Sequence, residues 1–192
     1  MNLLDEKGSS ASGKDTRLIE QLCSGDMAVF ETFYKDYRPK LRAFIRGIVP
    51  SEQAVDEVFD DVMMVVWDRI KDFEGRSKLS TWVYGIAYRR SLKERKPVRE
   101  VEMPDHMDEN QEIGPDADEP FAQITTKHRL QAALGKLPDD QGSVVRLAYF
   151  EGLNYREIGS IMDCPEDTVK TRMFHARRKL KASLGGTLAD WI

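Results

Sequence analysis

The chain has 192 residues, 41% of them apolar, and a formal net charge of −4, enough for one globular domain or two small ones. Its two cysteines, Cys23 and Cys164, stand in separate segments with no CxxC or Cys/His spacing, which argues against a disulfide framework or a zinc site and fits a reducing cytoplasm; no metal or cofactor is expected. No apolar run approaches the ~18 residues that span a bilayer, and the opening MNLLDEKGSSASGKD has no signal-peptide core, so a soluble intracellular protein is expected.

Residues 1–14 are polar, Gly/Ser-rich and non-periodic, and read as a disordered lead. From Asp15 to about residue 98 the pattern is helical. Apolar residues recur at three and four (Leu18, Leu22; Val29, Phe30, Phe33, Tyr34, Tyr37; Leu41, Phe44, Ile45, Ile48), with breaks at Ser24-Gly25, Val49-Pro50 and Glu74-Gly75. This predicts a bundle of about four helices. Charge is sorted within it: residues 52–74 hold eight acids and two bases, whereas residues 76–99 hold eight bases and one acid, Glu94. The two segments therefore face different partners. On a helical wheel Asp56, Glu57, Asp60, Asp61 and Asp68 share one arc, opposite Val55, Val58, Phe59, Val62, Val65 and Val66, and Met64 lands among the carboxylates. A methionine ringed by acids predicts a docking surface.

The basic segment RSKLSTWVYGIAYRRSLKERKPVR interleaves Trp82, Tyr84 and Tyr88 with Lys78, Arg89, Arg90 and Lys93 and with the hydroxyls of Ser80 and Thr81. Rings that stack on bases and cations that track phosphates grip unpaired DNA. The other fate for the three aromatics is the helix's own core, and the sequence leaves both open.

Residues 99–124 carry nine acids against one Arg, with Pro104, Pro115 and Pro120, and read as an extended acidic linker that lets the flanking domains move independently. Periodicity resumes over residues 125–184. There Asn154 and Glu157 form a capping box, Ile158, Ile161 and Met162 give a short helix its apolar face, and Gly159 allows close approach of the next helix. The turn falls at Asp163-Cys164-Pro165, with Pro165 placed as the first residue of the second helix. From Thr168 to Leu184 that helix has six Lys or Arg and no acid. This is a helix-turn-helix in which Thr168, Lys170, Thr171, Arg172 and His175 reach base edges. A net negative charge is unusual for a free-standing DNA binder, so the chain is expected to bind DNA with help from something larger. The closing GGTLADWI, within residues 185–192, reads as a hinge and an apolar tail.

The run DEVFDDVMMVVWDRIKDFEGRSKLSTWVYGIAYRRSL resembles region 2, and LPDDQGSVVRLAYFEGLNYREIGSIMDCPEDTVKTRMFHARRKL resembles region 4, of the extracytoplasmic-function (ECF) sigma factors of bacterial RNA polymerase, in the sigma-70 family. The resemblance implies an all-α chain of two small helical domains, active in transcription initiation and monomeric when free. It implies that Asp56, Glu57, Asp60, Asp61, Met64 and Trp67 dock on core polymerase. It also implies that Lys78, Ser80, Thr81, Trp82, Tyr84, Tyr88, Arg89, Arg90 and Lys93 open and hold the minus-10 element as single strand. The minus-35 element would be read by Thr168, Lys170, Thr171, Arg172, Phe174, His175, Arg177 and Arg178, the linker would thread toward the RNA channel, and an anti-sigma factor is a possible further partner. Tyr88-Arg89 stands where the family commonly has Arg-Asn, and His175 where it frequently has Arg, so base choice does not carry over.

Two other classes fit parts of this pattern. A stand-alone dimeric regulator would use the same helix-turn-helix, with residues 15–98 as a sensor. A metal-dependent hydrolase would centre on the Asp cluster. No His lies near those carboxylates, His106 and His128 are isolated, and there is no phosphate loop or nucleophile elbow, so no enzyme site is expected.

Overall fold

The computed structural model describes residues 13–95 and 121–185, with side chains from residues 15 and 128 onward. The acidic linker up to Pro120, His106, the residues before Gly13 and the GGTLADWI tail after its first glycine lie outside the described residues, as do the expectations that fall on them. Every described element is helical.

In the N-terminal half, α1 (Gly13–Cys23), α2 (Met27–Arg46), α3 (Glu52–Arg69) and α4 (Leu79–Glu94) form the expected four-helix bundle. Local chemistry sets the starts. Asp26 accepts the Ala28 and Val29 amides ahead of α2, and Ser51 accepts that of Ala54 ahead of α3, which satisfies N–H groups that have no partner in the helix itself. A 3-10 turn at Ile70–Asp72 ends α3, and positive-φ Gly75 helps turn the chain toward α4. Phe33, Leu41, Phe44 and Ile45 of α2, Val55, Val58, Phe59, Val62 and Val66 of α3, and Leu79, Val83 and Ala87 of α4 are buried together. A fully buried Val, Leu or Phe contributes about 1.5–3 kcal/mol, so this core outweighs the surface ion pairs around it.

In the C-terminal half, α5 (Phe121–Gly135) starts four residues earlier than expected, inside the segment read as linker. A helix can begin directly after Pro120, since proline ends the previous conformation and its ring suits the edge of a first turn. Helix α6 (Asp139–Val145) runs into a π turn at Arg146–Phe150. Then come α7 (Tyr155–Met162) and α8 (Glu166–Leu184), the helix-turn-helix. Val144, Val145, Leu147, Ile158, Ile161, Val169, Met173, Ala176 and Leu180 form its core.

The two halves do not stand apart. Helix α4 packs along α7, Lys78 pairs with Glu157 at 2.9 Å, and Arg95 pairs with Asp139. In this arrangement buried apolar side chains of both halves belong to one cluster; the linker on which the expected independent movement of the domains rests lies outside the described residues.

Candidate promoter and polymerase interfaces

Helix α3 builds the acidic face as the wheel predicted. Val55, Val58, Phe59, Val62 and Val66 are buried, Val65 is partly so, and Met64 projects from the other side at 64% exposure. The carboxylates are not all free. Asp56 pairs with Arg42 of α2, Asp60 accepts the Tyr34 hydroxyl at 3.2 Å, and Asp61 pairs with Arg90 of α4 at 3.4 Å. Glu57 accepts the Gln53 amide at 2.8 Å, one turn back on α3. Trp67 is half-buried, edge-on to Phe30 with ring centroids 4.8 Å apart. These contacts hold the acids in place while leaving the face open: Asp56 keeps 51% and Asp61 58% side-chain exposure. Arg42, which also reaches Glu52 at 3.2 Å, is a positioning side chain that residue-by-residue reading passed over.

Helix α4 divides the candidate minus-10 residues. At about 100° per residue, Lys78, Trp82, Arg89 and Lys93 share one edge, and Thr81, Tyr84, Tyr88, Ser91 and Arg95 the next. On the first edge Arg89 and Lys93 are exposed, and Trp82 is half-buried against Phe73 with centroids 5.3 Å apart. The second edge is covered. Thr81, Tyr84 and Tyr88 are 5%, 1% and 9% exposed, so these three candidates do not present themselves to a ligand in this arrangement. Tyr84 stacks edge-on against Phe44, which answers the open question for that ring: it is core. Ser80 is half-buried and Arg90 is turned toward Asp61.

The helix-turn-helix follows the local signals closely. Asn154 Oδ1 accepts the Glu157 amide and Glu157 Oε2 accepts that of Asn154, both at 2.9 Å, completing the capping box. Asp163 takes a left-handed conformation (φ 50°) to end α7. A Cβ on Gly159 would lie 2.7 Å from the Cys164 carbonyl oxygen, which is why the crossing needs glycine. Pro165 sits one position earlier than expected, as the cap, and its carbonyl accepts from Thr168 and Val169. Lys170, Thr171, Phe174, Arg177 and Arg178 form the exposed face of α8, with Phe174 at 62% exposure, its ring edge-on to half-buried His175; Thr168 is also half-buried.

Arg172, expected to reach a base edge, has its guanidinium engaged within the domain. Its Nε lies 2.9 Å from Asp140 Oδ2 and its Nη1 3.3 Å from Cys164 Sγ, so the guanidinium turns inward and pins α8 to α6 and the turn. Arg177 is drawn to the Tyr149 hydroxyl at 2.8 Å, and Lys170 to Glu166 and Asp167. Nothing near position 172 in the sequence signals Asp140.

The family models agree with this division: Sigma-70 region 2 matches residues 33–97, and Sigma-70, region 4 matches residues 127–180. The chain belongs to the sigma-70 family, as an ECF sigma factor. The ECF RNA polymerase sigma-E factor of Haemophilus influenzae is 28% identical over 179 residues, covering 87% of this chain and 93% of the relative. The RNA polymerase sigma-H factor of Pseudomonas aeruginosa is 26% identical over 187 residues, covering 92% and 97%. Among solved structures, the sigma factor RpoE of Bartonella quintana, in complex with the anti-sigma factor NepR, is 26% identical with a TM-score of 0.63, covering 80% of this chain and 97% of that one. CnrH, solved with the cytosolic domain of CnrY, shares the fold at a TM-score of 0.63 and 21% identity, covering 88% and 95%. Among the described residues no helix is long and apolar enough to cross a membrane, and no group of three or more His, Cys, Asp or Glu is placed to hold a metal ion.

Proposed function

We propose that this ECF sigma factor delivers core RNA polymerase to a specific set of promoters in the cytoplasm through three separate surfaces. The acidic face of α3, with Asp56, Glu57, Asp60, Asp61, Met64 and Trp67, docks on the polymerase. The edge of α4 with Lys78, Trp82, Arg89 and Lys93 holds unpaired minus-10 DNA. The exposed face of α8, with Lys170, Thr171, Phe174, Arg177 and Arg178, enters the minus-35 major groove. It is an initiation factor with no catalysis of its own. A stress-related regulon, and an anti-sigma factor like the one bound to the B. quintana relative, are part of this proposal.

The carrying observation is the adjacency of an open carboxylate face with exposed Met64 on α3 and a basic-aromatic edge on α4, in a chain that also has a helix-turn-helix. A stand-alone regulator needs only the last. The test is promoter-directed transcription by core polymerase reconstituted with this chain, scored with permanganate footprinting of unpaired thymines. Arg89→Ala with Lys93→Ala should lower open-complex formation and reduce its salt dependence, because each cation lost from a phosphate track removes a counterion-release contribution. Failure of the wild-type chain to support initiation, or footprints unchanged in the double variant, would refute the corresponding assignment.

A further inference from the structure

Arg146 opens the π turn after α6, a backbone irregularity that often marks a functional position, and its half-buried side chain has no counter-ion. The guanidinium lies in a cradle that two glycines leave free, since a Cβ on either Gly47 or Gly142 would overlap it. Among the described residues it makes no ion pair, hydrogen bond or ring contact. The acids close by in the chain are engaged elsewhere: Asp139 pairs with Arg95, and Glu52 is held by Arg42 and Arg46. Burial pushes the guanidinium's pKa below its usual value with no carboxylate to offset it, yet an arginine stays charged at neutral pH. A charge drawn out of water is normally paired, because its lost hydration has to be replaced.

Arg146 stands in the wall of a cleft of about 480 Å³ between the α2–α3 corner and the α5–α6 corner. Ile48, Val49, Leu134 and Leu137 give that cleft apolar walls. A cavity of this size with an apolar lining and a few polar anchors has the make-up of a small-molecule site. Charge narrows the ligand further. Arg46 and Arg95 also line the cleft but already hold carboxylates, so one positive charge is left over. Asp139 and the exposed Glu94, on the same lining, would repel a second negative charge, which disfavours nucleotides and other polyphosphates. We propose that this cleft binds an amphiphilic monoanion, an organic acid whose carboxylate meets Arg146 and whose hydrocarbon body lies against Ile48, Val49, Leu134 and Leu137. None of the residues assigned to polymerase or promoter lines the cleft, so the site stands apart from those surfaces.

The probes are octanoate and 1-naphthoate, an aliphatic and an aromatic carboxylate, titrated into the full chain by calorimetry. At least one should bind saturably at one per chain, and the tighter of the two identifies the class of hydrocarbon body. The uncharged counterparts, octan-1-ol and 1-naphthalenemethanol, should bind about tenfold more weakly or worse, as expected when a charge-assisted hydrogen bond is lost. Arg146→Met keeps an apolar stem and removes the charge, and should show the same loss for the acid. Arg38→Met, the same charge change on the exposed side of α2, should bind as the wild type does. Independently of any variant's folding, the bound acid should slow amide hydrogen exchange of the wild-type chain in residues 46–50 and 134–146. No saturable binding of either acid at millimolar concentration, equal affinity for acid and alcohol, undiminished binding by folded Arg146→Met, or protection confined to other residues overturns the proposal.

Discussion

Arg90 Nη1 on α4 lies 3.4 Å from Asp61 Oδ2 on α3, so the helix assigned to DNA and the helix assigned to polymerase are tied by an ion pair at their shared border. Both side chains are well exposed, at 38% and 58%, and such a pair stabilises by about 0–1 kcal/mol at most. Its value is geometric: it fixes Asp61 at the edge of the acidic face and keeps Arg90 off the DNA-facing edge.

Polymerase docking should therefore be separable from folding. Glu57→Arg with Asp60→Arg reverses two exposed carboxylates and, as a surface change, is expected to shift stability by roughly 0.5 kcal/mol per site. Co-purification with core polymerase should be lost while the thermal melt stays within a few degrees of wild type. A folded double variant that still binds polymerase places the docking surface elsewhere.

On α8, Arg172 and Arg178 should behave oppositely. Arg178 is exposed on the outer face, and a good side-chain contact to a base discriminates by ~1–3 kcal/mol, so Arg178→Ala should flatten preference among minus-35 variants. Arg172, bound to Asp140 and Cys164, should on truncation weaken all variants equally and lower the melting temperature. Transcription from a library of minus-35 sequences with each variant holoenzyme distinguishes the two patterns.

Gly159→Ala should unsettle the helix-turn-helix by about 1–3 kcal/mol, since the new Cβ meets a backbone carbonyl that has no side-chain freedom to yield. Chemical denaturation followed by circular dichroism measures it; a loss below about 0.5 kcal/mol would mean the turn relaxes freely.

Tyr37 should make the fold sensitive to alkali. Burial first, then the nearby carboxylates of Asp15, Glu151 and Asp36, push its phenol up to about 12. A raised folded value means the neutral ring is favoured in the native state. The associated stability is fully present below the unfolded value near 10 and is lost as pH rises from there through about 12, on the order of 2 kcal/mol in all. Denaturation midpoints measured across that window should fall, and Tyr37→Phe should flatten the fall. An identical slope in the variant would assign the effect to other groups.

What could be read in the sequence was what local chemistry decides. The Asn154–Glu157 box, the turn at Asp163 and the glycine crossing at Gly159 depend on neighbours within a few residues, and all appear as expected. The acidic arc of α3 with Met64 outward follows from helical period alone. The fates of Tyr84, Tyr88 and Arg172 depend on Phe44, Asp140 and α7, which come from distant parts of the chain, and no spacing rule reaches them.

The fit of Arg146 into the space left by Gly47 and Gly142 has a genetic corollary. A side chain at position 47 would displace a guanidinium contributed from the opposite half of the chain, about a hundred residues away in sequence. A residue at 47 bulky enough to displace that guanidinium should be better tolerated beside a shorter residue 146, so the two substitutions together should cost less than the sum of their separate effects.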